Sequence, residues 1–133
     1  MEAAIGAISG AYSPYSRFRV GAAVRMENGE VVTGANQENA AFPSGLCAER
    51  SALFYAHSRY PDVPVAALAV AAASADGLTP DPTYPCGACR QVLMESQQRG
   101  KRPIRVIMAG ARRIVVTESV SDLLPFAFDT LPR

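Results

Sequence analysis

Apolar and polar positions fall into short runs separated by clear breaks. The Ala-rich opening, Glu2 to Ser9, predicts a short helix ending near Gly10. Tyr12 to Ser16 is a loop, because Pro14 lacks an amide donor and restrains Ser13 away from helix. Phe18 to Met26 predicts a strand, and Val31 to Ala35 its return. Between them stands Glu27-Asn28-Gly29-Glu30. Its Asn-Gly pair is a strong signal for a tight hairpin with positive φ at both central residues. Asn36 to Ser44 is polar, contains Pro43 and reads as a loop. Ser44 can cap a helix from about Leu46 to Arg59, ended by Pro61 and Pro64.

Val65 to Ala73 is apolar at every position, the mark of a central strand covered on both faces. Ala75 to Pro85 holds three prolines and a glycine, and reads as a loop. Cys86 to Arg99 predicts a further helix, stopped by Gly100. Two more strands follow, Ile104 to Ala109 and Ile114 to Thr117, then a helical turn from Val120 to Leu124 halted by Pro125. Helices alternating with strands predict an α/β fold. It should be a three-layer α/β/α sandwich around a mixed sheet of about five strands. Crossovers would set the strand after each helix parallel to its predecessor. No repeat or low-complexity linker divides the chain, so residues 1–133 read as one domain.

Composition narrows the partners. The chain is 49% hydrophobic, enough for a core without disulfide staples, and its formal net charge is +1. Its densest basic pairs are Lys101-Arg102 and Arg112-Arg113, so a basic face for a nucleic-acid polymer is not expected and a small-molecule partner is. The longest apolar stretch is too short to cross a bilayer, and the opening residues lack a signal-peptide pattern. A cytoplasmic, membrane-free protein is the expectation. There a reducing medium keeps the three cysteines as thiols.

Those cysteines carry the chemistry. Cys47-Ala48-Glu49-Arg50 and Pro85-Cys86-Gly87-Ala88-Cys89-Arg90 both lie at predicted helix starts. Free amides and the positive end of the helix dipole favour thiolate there, the form that binds zinc. Cys86 and Cys89, three residues apart, project to one side of the first turn. The one histidine, His57, lies ten residues beyond Cys47, about 15 Å along the helix axis. Three sulfurs with no reachable fourth ligand match a catalytic zinc site, which keeps a position open for water. Glu49 is then the natural proton acceptor for that water. Arg50 and Arg90 would offset the negative charge of three thiolates on one Zn²⁺.

These residues resemble a known family. Cys-Ala-Glu followed by Pro-Cys-x-x-Cys is the zinc deaminase signature. From Tyr12 to Phe128 the chain is similar to the small homotetrameric zinc-dependent cytidine deaminases. The matching stretches are YSPYSRFRVGAAV, TGANQENAAFPSGLCAERSAL, PCGACRQVL and DLLPFAF. The resemblance implies hydrolysis of cytidine and 2′-deoxycytidine to the uridines with release of ammonia, in pyrimidine salvage. It implies one Zn²⁺ per subunit on Cys47, Cys86 and Cys89, with Glu49 as proton shuttle. Arg50 falls where the family bonds ligand sulfurs, and Asn36 and Glu38 fall where it bonds the ribose 3′-hydroxyl. Phe18 falls where a ring lines the base pocket, and Ala48 where backbone reads the pyrimidine edge. Phe128 falls where a residue enters a neighbouring subunit's site, so the active sites would be intersubunit.

A carboxylate accepting from a sugar hydroxyl is a charge-assisted bond that would favour nucleosides over free bases. The chain departs from the family at three places. Phe42 stands where many relatives have tyrosine, Phe126 where the residue is often small, and the helix before Tyr12 is short. Other readings stay open on the residues themselves. The cysteines could be core residues, Cys86 and Cys89 a thiol-disulfide pair, or Glu49 the fourth ligand of a structural zinc in a non-catalytic interaction protein. A deaminase of a related nucleoside such as blasticidin S shares the chemistry.

Overall fold

The apolar run that begins at Val65 forms the middle of the sheet. The computed structural model describes residues 1–131. Its strands are β1 (Arg19–Met26), β2 (Val31–Ala35), β3 (Val65–Ser74), β4 (Gly77–Leu78), β5 (Arg105–Ala109) and β6 (Ile114–Thr117). Its helices are α1 (Glu2–Ala7), α2 (Ala48–Arg59) and α3 (Gly87–Gly100), with 3₁₀ turns at Ile8–Gly10, Phe42–Ser44 and Val120–Asp122. The strand order is β2-β1-β3-β5-β6, and β4 pairs with β3. β3 is parallel to β5, with Ala67 opposite Arg105 and Val70 opposite Met108. β1 runs antiparallel to both β2 and β3, so β2 and β3 point the same way. Strands after each helix thus run parallel to their predecessors, as the crossover rule predicts.

The two faces of the sheet carry different side chains. Val24, Met26, Leu68, Val70, Val106 and Met108 form one core with Leu53 of α2 and with Leu93 and Met94 of α3. The other face carries Ala23, Ala69, Ala71 and Ala73, which pack with Ala4 of α1 and with Ile8. Small residues let α1 lie close: a Cβ on Gly21 would stand 2.1 Å from the Ala4 carbonyl oxygen. Gly34 of β2 does the same for α2, since a Cβ there would lie 2.6 Å from the Ala52 nitrogen. The start of α2 is therefore pressed against β2.

Four local expectations are corrected. β4 lies inside the stretch expected to be loop; Gly77, at φ +101°, turns the chain back onto β3. The β1–β2 hairpin is not the two-residue type, because only Gly29 takes positive φ, +89°. The Met26 amide donates to Glu30 at 2.8 Å and the Gly29 amide to Met26 at 3.0 Å, so Glu27, Asn28 and Gly29 form a three-residue loop. Cys47, not Ser44, caps α2, because Leu46 is held in extended pairing with Gln37 through two 2.9 Å backbone bonds. α3 ends in a left-handed residue at Lys101, φ 54°, one position beyond Gly100. Phe126 is also left-handed, at φ 53°, a conformation that favours glycine over a side chain this large.

Candidate active site

Two helices start at the same edge of the sheet. β2 and β3 point the same way, and α2 and α3 each begin beyond the carboxyl end of one of them. Ligands of α/β sheets bind at such edges. Cys47 is the N-cap of α2 and Cys86 the N-cap of α3. The Cys89 amide donates to the Cys86 sulfur at 3.5 Å. The sulfurs of Cys47, Cys86 and Cys89 lie within 4.8 Å of one another. Cys47 and Cys86 are 3.8 Å apart at sulfur. Zinc–sulfur bonds of about 2.3 Å in a tetrahedron put sulfurs about 3.8 Å apart, so this spacing fits one zinc ion. All three are free thiols. His57 is outside the cluster; its Nε2 meets Ser96 Oγ at 2.8 Å between α2 and α3.

The charges follow from the packing. Cys47 has its pKa lowered to about 5, first by a hydrogen bond from Cys89 and next by the Arg50 guanidinium. Arg50 donates to the Cys47 sulfur at 3.3 Å. Cys89 is raised as the partner that keeps its proton for Cys47. Glu49, only 4% exposed, is raised chiefly by burial and next by the charge on Cys47. Arg90 does not attend the sulfurs. It bonds the carbonyls of Pro85 at 2.8 Å and Leu123 at 2.9 Å, tying the C-terminal segment to the start of α3.

A cavity of about 560 Å³ opens over Cys47 and Arg50 and is walled by Asn36, Glu38, Tyr15 and Phe42. That volume suits a small molecule. Phe42 is 74% exposed and meets Tyr15 edge-on, with ring centroids 5.8 Å apart. Asn36 lies on a wall but is already engaged. Its Oδ1 accepts from the Val20 amide and its Nδ2 donates to the Phe18 carbonyl, each at 2.9 Å. Phe18, Ala48 and Phe128 do not line the cavity. Ala48 is fully buried in the first turn of α2. Phe128 lies along α3, where Gln91 Nε2 donates to its carbonyl at 2.7 Å. A larger cavity, about 810 Å³, sits on the Ala-rich face of the sheet and is lined by no cysteine.

Sequence reasoning missed Tyr15 and Ser16. Their amides donate to Glu38 Oε1 at 3.0 and 3.1 Å, and the Ser16 hydroxyl donates to Oε2. These bonds, that of the Ser16 hydroxyl first, hold Glu38 below the usual carboxylate range. The signal that could have found them is the polar Tyr12 to Ser16 loop just ahead of β1, since β1 pairs with the strand leading into Asn36.

Residues 1–102 match the cytidine and deoxycytidylate deaminase zinc-binding region. The chain belongs to the cytidine deaminase family. Within that family it is 44% identical over 128 residues to a cytidine deaminase of Halalkalibacterium halodurans, covering 96% of this chain and 90% of that one. It is 42% identical over 132 residues to a cytidine deaminase of Mycobacterium tuberculosis, covering 96% and 86%. The fold matches a crystal structure of cytidine deaminase from Burkholderia pseudomallei with TM-score 0.82 and 43% identity, over 96% of this chain and 94% of that one. Family membership and the three-sulfur cluster together make this a zinc enzyme of the cytidine deaminase type.

Proposed function

We propose that this chain, one domain over residues 1–133, hydrolyses cytidine and 2′-deoxycytidine to the corresponding uridines and ammonia. The observation that carries this reading is Glu49, buried at the same helix start that brings Cys47 to Cys86 and Cys89. Cys47, Cys86 and Cys89 would hold one zinc ion, and that ion supplies the positive charge that makes a water acidic near neutral pH.

The chain's own residues then have separate tasks. Glu49 takes a proton from the water as the water's oxygen bonds to C4 of the pyrimidine. The carboxyl passes that proton to N3. The second water proton goes by the same route to the 4-amino group, which leaves as ammonia while C4 becomes a carbonyl. One carboxylate serves both transfers, and low solvent access keeps its protons from exchanging with bulk water. Arg50, at 3.3 Å from the Cys47 sulfur, draws off part of the negative charge on the ligands. Glu38 and the remaining N–H of Asn36 receive the ribose 3′-hydroxyl; for Ala48 and Phe18, which do not line the cavity, contact with the base edge and the base rests on the family resemblance alone.

A homotetramer is part of the proposal. Phe128 is 67% exposed and lies along α3, away from this subunit's own cavity. In this reading Phe128 enters a neighbouring copy's cavity and the active sites are intersubunit; its exposure leaves it free for that role. A cytoplasmic place in pyrimidine salvage accords with a nucleoside substrate.

The test is a metal assay alongside the loss of cytidine absorbance. Expected are one zinc per chain and turnover. Glu49→Gln should keep the zinc and lose kcat by about 10²–10⁴-fold. Full turnover by Glu49→Gln would remove the mechanism, and zinc binding with no turnover of any pyrimidine nucleoside would remove the activity.

A further inference from the structure

Glu38 is a half-buried carboxylate on a loop, and a side chain of this length ordinarily samples several rotamers. Here both of its oxygens are taken. Oε1 accepts from the Tyr15 and Ser16 amides at 3.0 and 3.1 Å, and Oε2 accepts from the Ser16 hydroxyl. The hydroxyl is itself aimed. Its oxygen accepts from the Phe18 amide at 3.0 Å, and a serine has one proton to give, so that proton points at Glu38. Arg17 between them sits at φ 59°, a conformation costly for a side chain this large, and that bend turns the Phe18 amide back onto Ser16.

The network continues to the second wall residue. The Phe18 carbonyl accepts from Asn36 Nδ2 at 2.9 Å, and Asn36 Oδ1 accepts from the Val20 amide at 2.9 Å. Ser16, Phe18, Asn36 and Glu38 therefore form one hydrogen-bonded chain that orients both groups facing the cavity.

We infer that Ser16 is a positioning residue for sugar recognition: its hydroxyl fixes the Glu38 carboxylate in the rotamer that accepts the ribose 3′-hydroxyl. This rests on the reading of Glu38 as the sugar contact. Ser16 touches no reacting atom. Its effect passes through Glu38, so it should alter KM for substrates that carry a 3′-hydroxyl and leave the chemical step alone.

The experiment compares the zinc-loaded wild type, Ser16→Ala, Ser16→Thr, Glu38→Gln and the Ser16→Ala/Glu38→Gln double variant. Substrates are cytidine and 2′,3′-dideoxycytidine. Losing a hydrogen bond to a charged group should raise KM for cytidine about tenfold in Ser16→Ala, with kcat held within about twofold. The dideoxy substrate should be affected less than about twofold, because it has no hydroxyl for Glu38 to receive. Ser16→Thr should restore most of the cytidine KM, and the double variant should be no worse than Glu38→Gln. Equal losses on both substrates, or failure of threonine to rescue, would mean that Ser16 only staples the loop, and would overturn the proposal. If Glu38→Gln loses the preference for the 3′-hydroxyl while Ser16→Ala keeps it, Ser16 alone is wrong. If Glu38→Gln keeps the preference, the reading of Glu38 falls, and the Ser16 proposal falls with it.

Discussion

Replacing Gly34 with alanine puts a methyl group where the backbone of α2 already is. The added Cβ would stand 2.6 Å from the Ala52 nitrogen, 3.0 Å from the Ala48 oxygen and 3.1 Å from the Ala52 Cα. All three are backbone atoms, so no side-chain rotation relieves the contact. Carbon atoms sit comfortably at about 3.5–4.0 Å, so α2 and β2 must part by roughly 1 Å. Overpacking of this kind costs about 1–3 kcal/mol. Cys47 caps α2, so its sulfur moves with the helix while Cys86 and Cys89 stay with α3. Zinc ligands tolerate about 0.2 Å. The zinc-bound variant must hold the helix in its strained place, whereas the metal-free variant can relax. The strain then appears as weakened zinc binding, up to about 10- to 100-fold if most of it is released, since 1.4 kcal/mol is tenfold. Competition with a chromophoric chelator measures that, and thermal unfolding with and without zinc measures the rest. The loss of Tm should be larger with zinc than without. Gly6→Ala is the control, because a Cβ there meets nothing within 4 Å. Unchanged zinc affinity together with unchanged Tm in Gly34→Ala would refute the claim that β2 sets the position of Cys47.

Two further outcomes follow from the charges. In chelator-treated protein, Cys47 ionises at about 5 while Cys89 is held protonated, so iodoacetamide at pH 6.5 should label Cys47 before Cys89; equal labelling of these two, read by mass spectrometry, would contradict this. Burial, with the Arg99 guanidinium adding to it, holds His57 below its ordinary pKa of 6.5. The unfolded chain therefore takes up that proton more readily than the folded one. The His57 contribution is present above about pH 6.5 and is lost as pH falls from there through the folded value. His57→Gln should accordingly show a shallower fall of Tm between about pH 6.5 and 5 than the wild type, and an identical slope would rule this contribution out.

The parts of the fold legible in the sequence are those set by neighbours along the chain. β3 announces itself because every position from Val65 to Ala73 is apolar. The zinc cluster was visible because Cys86 and Cys89 need only one helical turn to meet, and Cys47 stands at a second predicted helix start. What escaped depends on contacts across the chain. The start of α2 was read too early because Leu46 is held by Gln37, a pairing that no local pattern reveals. Asn28 was expected at positive φ, but its side-chain oxygen accepts from the Glu30 amide at 3.0 Å, which suits the longer loop. Ser16 was overlooked because its partner, Glu38, lies 22 residues away. Asn36 was singled out as a sugar contact, and the structure adds that most of its amide already holds β1.

The site depends on the difference between the two faces of the sheet. Three thiolates and one zinc ion carry a net charge of −1, so the metal is a useful Lewis acid only where its ligands are electrostatically supported. Two helix N-termini and Arg50 give that support at short range, whereas Arg90 is spent on the Pro85 and Leu123 carbonyls. Helix dipoles act only within the first turn, so both helix starts must be held accurately. The large residues beneath α2 and α3, with Leu53 and Leu93 fully buried among them, lock both helices to one face. The opposite face, paved with alanines, takes the short α1 instead. Placing both cysteine-bearing helices on the face with Leu68, Val70, Val106 and Met108 is thus what turns three ordinary thiols into one metal site.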